Sequence, residues 1–505
     1  MGDNARLMAQ EVEIKLSLPE AARRAFLRHP LLKAAQRLPA HKLVNLYYDT
    51  PALDLHRHGV ALRTRRQGRG WLQTVKCAGT AVGGLAVRPE WERPYAGRFD
   101  FSAIDDPQLA ELLERHRLAA RLGPVFETVF TRRAWRIAPA PGAGVLLMLD
   151  TGWIAADGRR EAISEIEIER EGGEVESLFD LARALAADLP LRPGIYSKAE
   201  RGYRLRLDTP LAPIKAAPSP LLPAQTPLEA FRGIAAACLA QFQANMAGAA
   251  EADPEFVHQM RVALRRLRSA LRTFRPVLPE GFEAALVPPL RETARTLGLA
   301  RDWDVLAEEI VAPARRAFAG DARLDALAAA VGQRRQAAHA AARQALEARA
   351  LALALLDFAA RLQQTGLPVA DVPLAAFAAR RLDRLRRKAL VLAQAARDRD
   401  PAHLHALRIG VKRLRYAIEF FAPLHRGRDS RDALATLTAL QDSLGALNDL
   451  ARAGPLLAQC MDSDAALREA VALTGGWHGP RHAVLQGLTL QGLRRLRKLK
   501  RFWKD

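Results

Sequence analysis

Cysteine is scarce in this chain. Cys77, Cys238 and Cys460 stand far apart and in no CxxC pair. That excludes a disulfide scaffold and a thiolate zinc site, and it fits a reducing, cytoplasmic setting. No run of about 18 apolar residues occurs, so no membrane helix is expected. The opening MGDNARLMAQEVEIK lacks the apolar core of a secretory signal, and Arg6 stands where N-myristoylation needs Ser or Thr. Aromatic residues make up 6%, which leaves little to stack on unpaired bases and argues against nucleic acid. No Ser-His-Asp or Cys-His arrangement is visible, so no covalent nucleophile is expected. Positive charge is abundant: 76 Lys and Arg against 55 Asp and Glu give +21. A chain this basic is expected to meet an anion, whether nucleic acid, phosphate polymer or membrane surface.

At 505 residues the chain is too long for one ordinary domain. Six prolines between Pro210 and Pro227 exclude a helix or a sheet interior there and predict a stiff linker over 209–227. Residues 1–210 carry 32 basic and 27 acidic residues, net +5; the remainder carries 44 and 28, net +16. Alternating runs predict strands at Glu11–Leu16, Asn45–Thr50, Val60–Arg66, Trp71–Lys76, Arg88–Glu92, Phe126–Ile137, Val145–Ile154 and Ile163–Glu169. About eight strands with turns between them suit an antiparallel barrel. Helices are expected at Pro19–Arg28, Pro107–Arg117 and Val175–Ala187. The second half reads as helix throughout, and it repeats. His258-x-x-Arg261-Val262-x-x-Arg265-Arg266-Leu267-Arg268 returns as His405-x-x-Arg408-Ile409-x-x-Lys412-Arg413-Leu414-Arg415, an offset of 405 − 258 = 147. Phe274 and Phe421, Leu297-Gly298 and Leu444-Gly445, and Asp302 and Asp449 keep that offset. The expected architecture is α+β and multidomain: a β-barrel over 1–208, the linker, and an all-α domain over 228–505. The latter holds two duplicated bundles, about 228–370 and 371–505, related by a pseudo-twofold axis.

In the first half charge alternates with apolar residues. Glu11, Glu13 and Lys15 alternate with Val12, Ile14 and Leu16; Glu165, Glu167 and Glu169 alternate with Ile166 and Ile168. Arg63 and Arg65 flank Thr64, and Arg132, Asp150 and Lys198 sit near the ends of further segments. One such strand is a solvated face over a core face. With both signs recurring, a barrel would gather these charges into its interior, where they must be paired or ligated. A polyanion with a divalent metal meets that need: Arg and Lys take phosphate oxygens, and grouped carboxylates hold Mg²⁺ or Mn²⁺. Few His or Cys accompany these strands, which disfavours zinc.

Glu11-x-Glu13-x-Lys15 resembles the ExExK signature of the CYTH superfamily, the triphosphate tunnel metalloenzymes. Tyr48-Asp49-Thr50, Leu62-Arg63-x-Arg65, Thr74-x-Lys76, the Glu165–Glu169 strand and Ser197-Lys198-Ala199-Glu200-Arg201-Gly202-Tyr203 extend the resemblance over nearly all of 1–210. It implies an eight-stranded antiparallel tunnel that cleaves triphosphates with metal. Glu11, Glu13, Glu165, Glu167, Glu169 and Asp150 would serve the metal; Lys15, Arg63, Arg65, Lys76, Arg132 and Lys198 would bind phosphate. Glu11, Glu13, Lys15, Glu167 and Lys198 would be catalytic, with Glu167 or a second metal directing water. Arg132 and Arg133 are adjacent, so one faces inward. Pro89 breaks the Arg88–Glu92 run, which leaves open whether Arg88, Glu90 or Glu92 reaches the tunnel.

In the second half His258, Arg261, Arg265, Arg268 and Arg272 share one helical face, and His405, Arg408, Lys412 and Arg415 repeat it. A single amphipathic helix with a solvated basic face would explain one copy; duplication in register, with Arg266 and Arg413 added, points to an anion groove. This half resembles the CHAD domain on those two segments, on Arg301-Asp302-x-Asp304-Val305 and on Leu444-Gly445-x-Leu447-Asn448-Asp449. The resemblance implies long-chain polyphosphate on the basic surface and association with polyphosphate granules. Asp302 and Asp449 are expected to cap helices or orient arginines. The combined reading is a metal-dependent inorganic triphosphatase, cleaving tripolyphosphate to pyrophosphate and phosphate, with a polyphosphate-binding partner domain. The alternatives are a nucleoside or thiamine triphosphatase, an adenylate cyclase, and a non-catalytic polyphosphate-binding or granule-targeting protein.

Overall fold

A computed structural model describes residues 9–504, except 69, 78, 141, 220, 252, 284–286, 365–371 and 464. The first eight residues and the proposed repeat boundary at 370/371 lie outside the described residues. Two compact units result: Met1–Ala212 with Glu347–Thr365, and Pro213–Leu346 with Gly366–Asp505.

The first unit is built on eight long antiparallel strands: β1 (Ala9–Ser17), β2 (His41–Asp49), β3 (Val60–Gln67), β4 (Gly70–Cys77), β5 (Leu85–Pro94), β6 (Gly123–Ala140), β7 (Ala143–Ala156) and β8 (Arg159–Gly172). The order β1-β8-β7-β6-β2-β3-β4-β5 closes when β5 pairs back with β1. All eight fall where alternation predicts them. Pro89 does not interrupt β5. The Lys15 N–H bonds to the Gly84 carbonyl, so the alternation places Pro89, opposite Gln10, at a non-hydrogen-bonded position on the β1 side. On its other edge Pro89 falls between the pairings to β4 and to the short Thr80–Val82 strand, so its missing N–H costs no ladder bond.

The barrel is apolar on much of its outside and charged within. Val12, Ile14, Leu16, Leu147, Leu149, Ile166 and Ile168 are buried on the faces that meet the helix Glu176–Asp188, which offers Leu178, Phe179, Ala182 and Leu185. Burying each such side chain stabilises the fold by about 1.5–3 kcal/mol. The helix Arg349–Gln363, although it comes from the middle of the helical half of the sequence, packs on that helix and belongs to the barrel unit. Gly83, at φ +62°, allows this approach: a Cβ there would stand 2.2 Å from the Ala359 Cβ.

The second unit is helical. Helices Glu255–Phe274 and Pro401–Phe421 end on residues 147 apart, each followed by one 3-10 turn, Arg275–Val277 and Ala422–Leu424. Phe274 and Phe421 face each other with ring centroids 5.4 Å apart. Equivalent residues of the two copies thus meet, as residues near a twofold axis would. The proline-rich stretch is held against this unit: Asn245 and Gln241 hydrogen-bond the backbone of Ile214, and Ser219 and Leu221 are buried. No helix of the described residues is long and apolar enough to cross a membrane.

Candidate functional site

Strand register decides what meets inside the barrel. Glu13 lies opposite Glu169, Lys15 opposite Glu167, Glu165 opposite Asp150, and Asp150 opposite Arg132. Arg63 and Arg65 stand opposite Tyr47 and Asn45, Lys76 opposite Glu90, and Arg88 opposite Glu11. With side chains alternating, all of them point to one interior.

The interior is densest around Lys198. The helix Lys198–Leu207 starts at a capping box, in which Ser197 accepts from the Glu200 N–H and Glu200 accepts from the Ser197 N–H. This fixes the first turn and aims Lys198 inward. Its Nζ donates to Asp150 at 2.7 Å, to Glu167 at 2.9 Å, and to Glu165, and it lies 4.9 Å from the centre of the Phe130 ring. Gly202 lets the helix seat: a Cβ there would lie 2.1 Å from the Phe126 ring. Tyr203 donates to Asp49, whose carboxylate also accepts from the Leu55 and His56 N–H groups. Arg132 forks onto Asp150 at 2.8 and 2.6 Å and reaches Glu167, whereas Arg133 is exposed on the outer face.

Around β1 and β5, Lys76 donates to Glu11 at 2.7 and 2.8 Å, and Arg88 bonds both Glu11 and Glu13. Arg88, Glu90 and Glu92 all face inward: Glu90 lies 3.2 Å from Lys76, and Glu92 accepts from Thr74. Burial works against the Glu11 charge, but Lys76 and Arg88 overcome it and hold its carboxyl well below the usual range. Burial and the opposing carboxylates raise Glu13, and the same causes push Glu169 up to about 7. Burial also opposes the charge of Glu167, yet Lys198, Lys15 and Arg132 keep it ionised.

The β3 wall differs. The closest described carboxylate to Arg63 is Glu90 at 3.8 Å, and its buried Nε has no partner. Among the described residues Arg65 bonds only the neutral Asn45 amide, at 3.0 Å. Burial and its neighbours Arg63 and Arg132 push it down to about 10. The tunnel thus has an acid-rich wall on β1, β7 and β8, and on β3 Arg65 is short of counter-charge, whereas Tyr47 and Glu90 outweigh burial and hold the Arg63 guanidinium above its usual range. The acids of Asp150, Glu165 and Glu167 can bring ligand oxygens within 4.8 Å of one another. These three carboxylates, with no His or Cys among them, form a hard-oxygen set that fits Mg²⁺ or Mn²⁺.

In the helical unit the basic stripe divides along the helix. Arg261 and Arg265 join Arg301, Arg408, Lys412 and Arg452, with Asp302 and Asp449 the neighbouring acids. Gly298 admits the Arg261 guanidinium, which donates to the Leu297 carbonyl at 3.3 Å. Asp302 pairs with Arg452 at 2.5 Å, from inside a helix and not at its cap. Burial, then Arg265 and Arg408, push Lys412 down to about 6, and burial above all pushes His258 down to about 4. The buried Nε atoms of Arg265 and Arg408 have no partner. His405 meets Asn448 at 3.1 Å. Arg268 and Arg413 lie apart from this cluster, beside Arg272.

Arg266 is a correction to the groove expected from sequence. It is 8% exposed, bonds Glu419, and covers the Tyr416 and Phe420 rings. One residue past Arg265 turns about 100° round the helix, away from the stripe. Arg415 is engaged by Glu419 and Gln441. The sequence did not single out Asn45, Tyr47, Phe130 or Arg201 for the tunnel. Arg201, which bonds Glu161 and Glu165, was visible only as part of a motif.

The CYTH domain family matches residues 9–203, and the CHAD domain family matches 233–458. The chain therefore carries a CYTH domain followed by a CHAD domain. An inorganic triphosphatase of Haemophilus influenzae is 31% identical over 204 residues, 39% of this chain; the match spans 56% of that relative's length. The CHAD domain of the plant Ricinus communis aligns with 56% of this chain and 96% of its own, at 34% identity and TM-score 0.50. PptA from Streptomyces chartreusis covers 54% of this chain at 18% identity and TM-score 0.43.

Proposed function

We propose that the barrel hydrolyses inorganic tripolyphosphate to pyrophosphate and phosphate with Mg²⁺ or Mn²⁺, and that the helical unit binds long-chain polyphosphate. The observation that supports this best is the segregation of charge in one interior, with grouped carboxylates on one wall and the cations Arg63 and Arg65 on another, of which Arg65 is undercompensated. Lys15, Arg63, Arg65, Lys76, Arg132 and Lys198 would bind the phosphate chain. Glu11, Glu13, Glu165, Glu167, Glu169 and Asp150 would hold the metal, which when bound neutralises phosphate charge and stabilises the leaving group. Phosphoryl transfer asks mainly for positioning and electrostatic stabilisation. Lys198 and Arg132 would leave their carboxylates for phosphoryl oxygens as charge grows there. Glu167, kept ionised, would orient water as a hydrogen-bond acceptor. The similarity to an inorganic triphosphatase supports the substrate.

Phosphate release from tripolyphosphate, with ATP in parallel, tests the reading. Metal-dependent release that Glu11→Ala/Glu13→Ala loses, with ATP a poor substrate, would support it. Better turnover of ATP would move the site to nucleotide chemistry, and no turnover of either would leave a binding protein. For the helical unit, polyphosphate should outcompete DNA at matched salt.

A further inference from the structure

The two copies of the helical repeat differ sharply around Glu419. On one side Arg266 and Arg415 both bond Glu419, and Arg415 also bonds Gln441. The offset of 147 maps Arg266 onto Arg413, Arg415 onto Arg268, Glu419 onto Arg272 and Gln441 onto Ala294. The mate of a closed Arg-Glu-Arg arrangement is therefore three arginines with neither the acid nor the amide. Arg291 adds a fourth where the other copy has Thr438. Among the described residues no ion pair reaches Arg268, Arg272, Arg291 or Arg413, and the Arg413 Nε is buried with no partner. Burial and the charges of Arg272 and Arg268 depress the Arg413 guanidinium. Arg413 neighbours Arg268 and Arg272, which with Arg291 line a cavity of about 120 Å³ between helices Glu255–Phe274 and Val287–Val305. Its lining pairs Arg268, Arg272 and Arg291 with Leu264, Leu267, Leu271, Val287 and Leu290, and Glu283 is its one acid.

We propose that this cavity is a second anion site, for a small organic phosphate bearing a short apolar group. The head group would take the place of the missing Glu419 equivalent among the arginines, and the tail would lie on the leucines. A plain phosphate chain would use the arginines and leave the aliphatic floor wet. The cavity has room for about four waters or a short alkyl group. The site is separate from the Arg261–Lys412 cluster and independent of the tunnel reading.

Titration calorimetry on the full chain tests this, with hexyl phosphate, inorganic phosphate and hexanol as probes. Hexyl phosphate should bind at least about tenfold tighter than inorganic phosphate, because two buried methylenes suffice for that factor. Hexanol should not bind. Arg272→Glu rebuilds the acid of the other copy at an exposed position, and Arg291→Ala removes an exposed cation. Each should weaken hexyl phosphate by about tenfold or more, with circular dichroism showing the fold intact. Equal binding of the two phosphates would overturn the apolar part, and wild-type affinity in folded Arg272→Glu would overturn the site. Binding only to vesicles containing phosphatidic acid, and not to free hexyl phosphate, would overturn it in favour of a membrane surface.

Discussion

The barrel interior and the basic cluster of the helical unit hold charge in opposite ways. Inside the barrel most cations already have carboxylates: Lys198 has three, Arg132 two, Lys76 and Arg88 two each. In the helical cluster Arg261, Arg265, Arg408 and Lys412 share two neighbouring acids, and burial depresses Arg261, Arg408 and Lys412. Low dielectric magnifies both arrangements. A paired interior resists a ligand unless it offers something to both signs at once, as an anion together with a metal does. An unpaired cluster is relieved by any polyanion that reaches it. The first arrangement favours selectivity and the second favours capture.

The largest effect should come from breaking the paired interior. Lys198→Ala leaves Asp150, Glu165 and Glu167 without their shared cation, and tripolyphosphate turnover should fall by about 10²–10³. Glu11→Ala/Glu13→Ala should cost at least as much. Kinetics across a metal titration would show whether excess metal restores Lys198→Ala; retention of more than a tenth of the activity would break the comparison. A smaller loss is expected from Gly202→Ala, whose Cβ meets the Phe126 ring and must shift the helix that aims Lys198. Overpacking of this kind costs about 1–3 kcal/mol, to be measured by denaturant unfolding alongside turnover.

Salt separates the two regions next. Polyphosphate binding by the helical unit should weaken steeply with ionic strength, and Arg261→Ala/Arg408→Ala should flatten the log–log slope by about one to two, since each phosphate contact contributes roughly 0.7. The KM for tripolyphosphate should respond less, because most tunnel cations, Lys198, Arg132, Lys76 and Arg88 among them, are already partnered. Equal slopes would erase the distinction.

How much of this was legible in the sequence followed from periodicity. Period-2 alternation gave the eight strands and placed Glu11, Glu13, Lys15 and the Glu165–Glu169 set on one face, and a fixed offset gave the helical repeat. Two things were hidden. Pro89 read as a break in β5, because a residue string does not say which edge its missing N–H faces; this left open whether Arg88, the partner of both Glu11 and Glu13, faces the tunnel. The helix Arg349–Gln363 read as part of the helical half, because its tertiary choice rests on an apolar face that many surfaces could cover. Arg266, by contrast, was readable, since one step round a helix already turns it off the stripe.

The last effect is the most diagnostic of an unpaired cluster. Burial and two arginines push Lys412 down to about 6, against an unperturbed value of 10.5. Between those values the free folded chain holds Lys412 neutral, while the unfolded chain holds it protonated. Its contribution to stability is therefore present above pH 10.5 and is lost as pH falls toward 6. A bound polyanion reverses the preference and draws a proton onto Lys412. Binding should then take up as much as one proton, and affinity should fall by up to about tenfold per pH unit as pH rises above 6. Lys412→Arg keeps a charge that cannot be shed. It should bind polyphosphate more tightly than wild type at pH 8, about equally at pH 6, and with a flatter profile between. Titration calorimetry in buffers of different ionisation enthalpy would count the proton directly. A wild-type profile as flat as that of Lys412→Arg would mean that Lys412 carries its charge before the anion arrives, and that the cluster is better compensated than its two aspartates suggest.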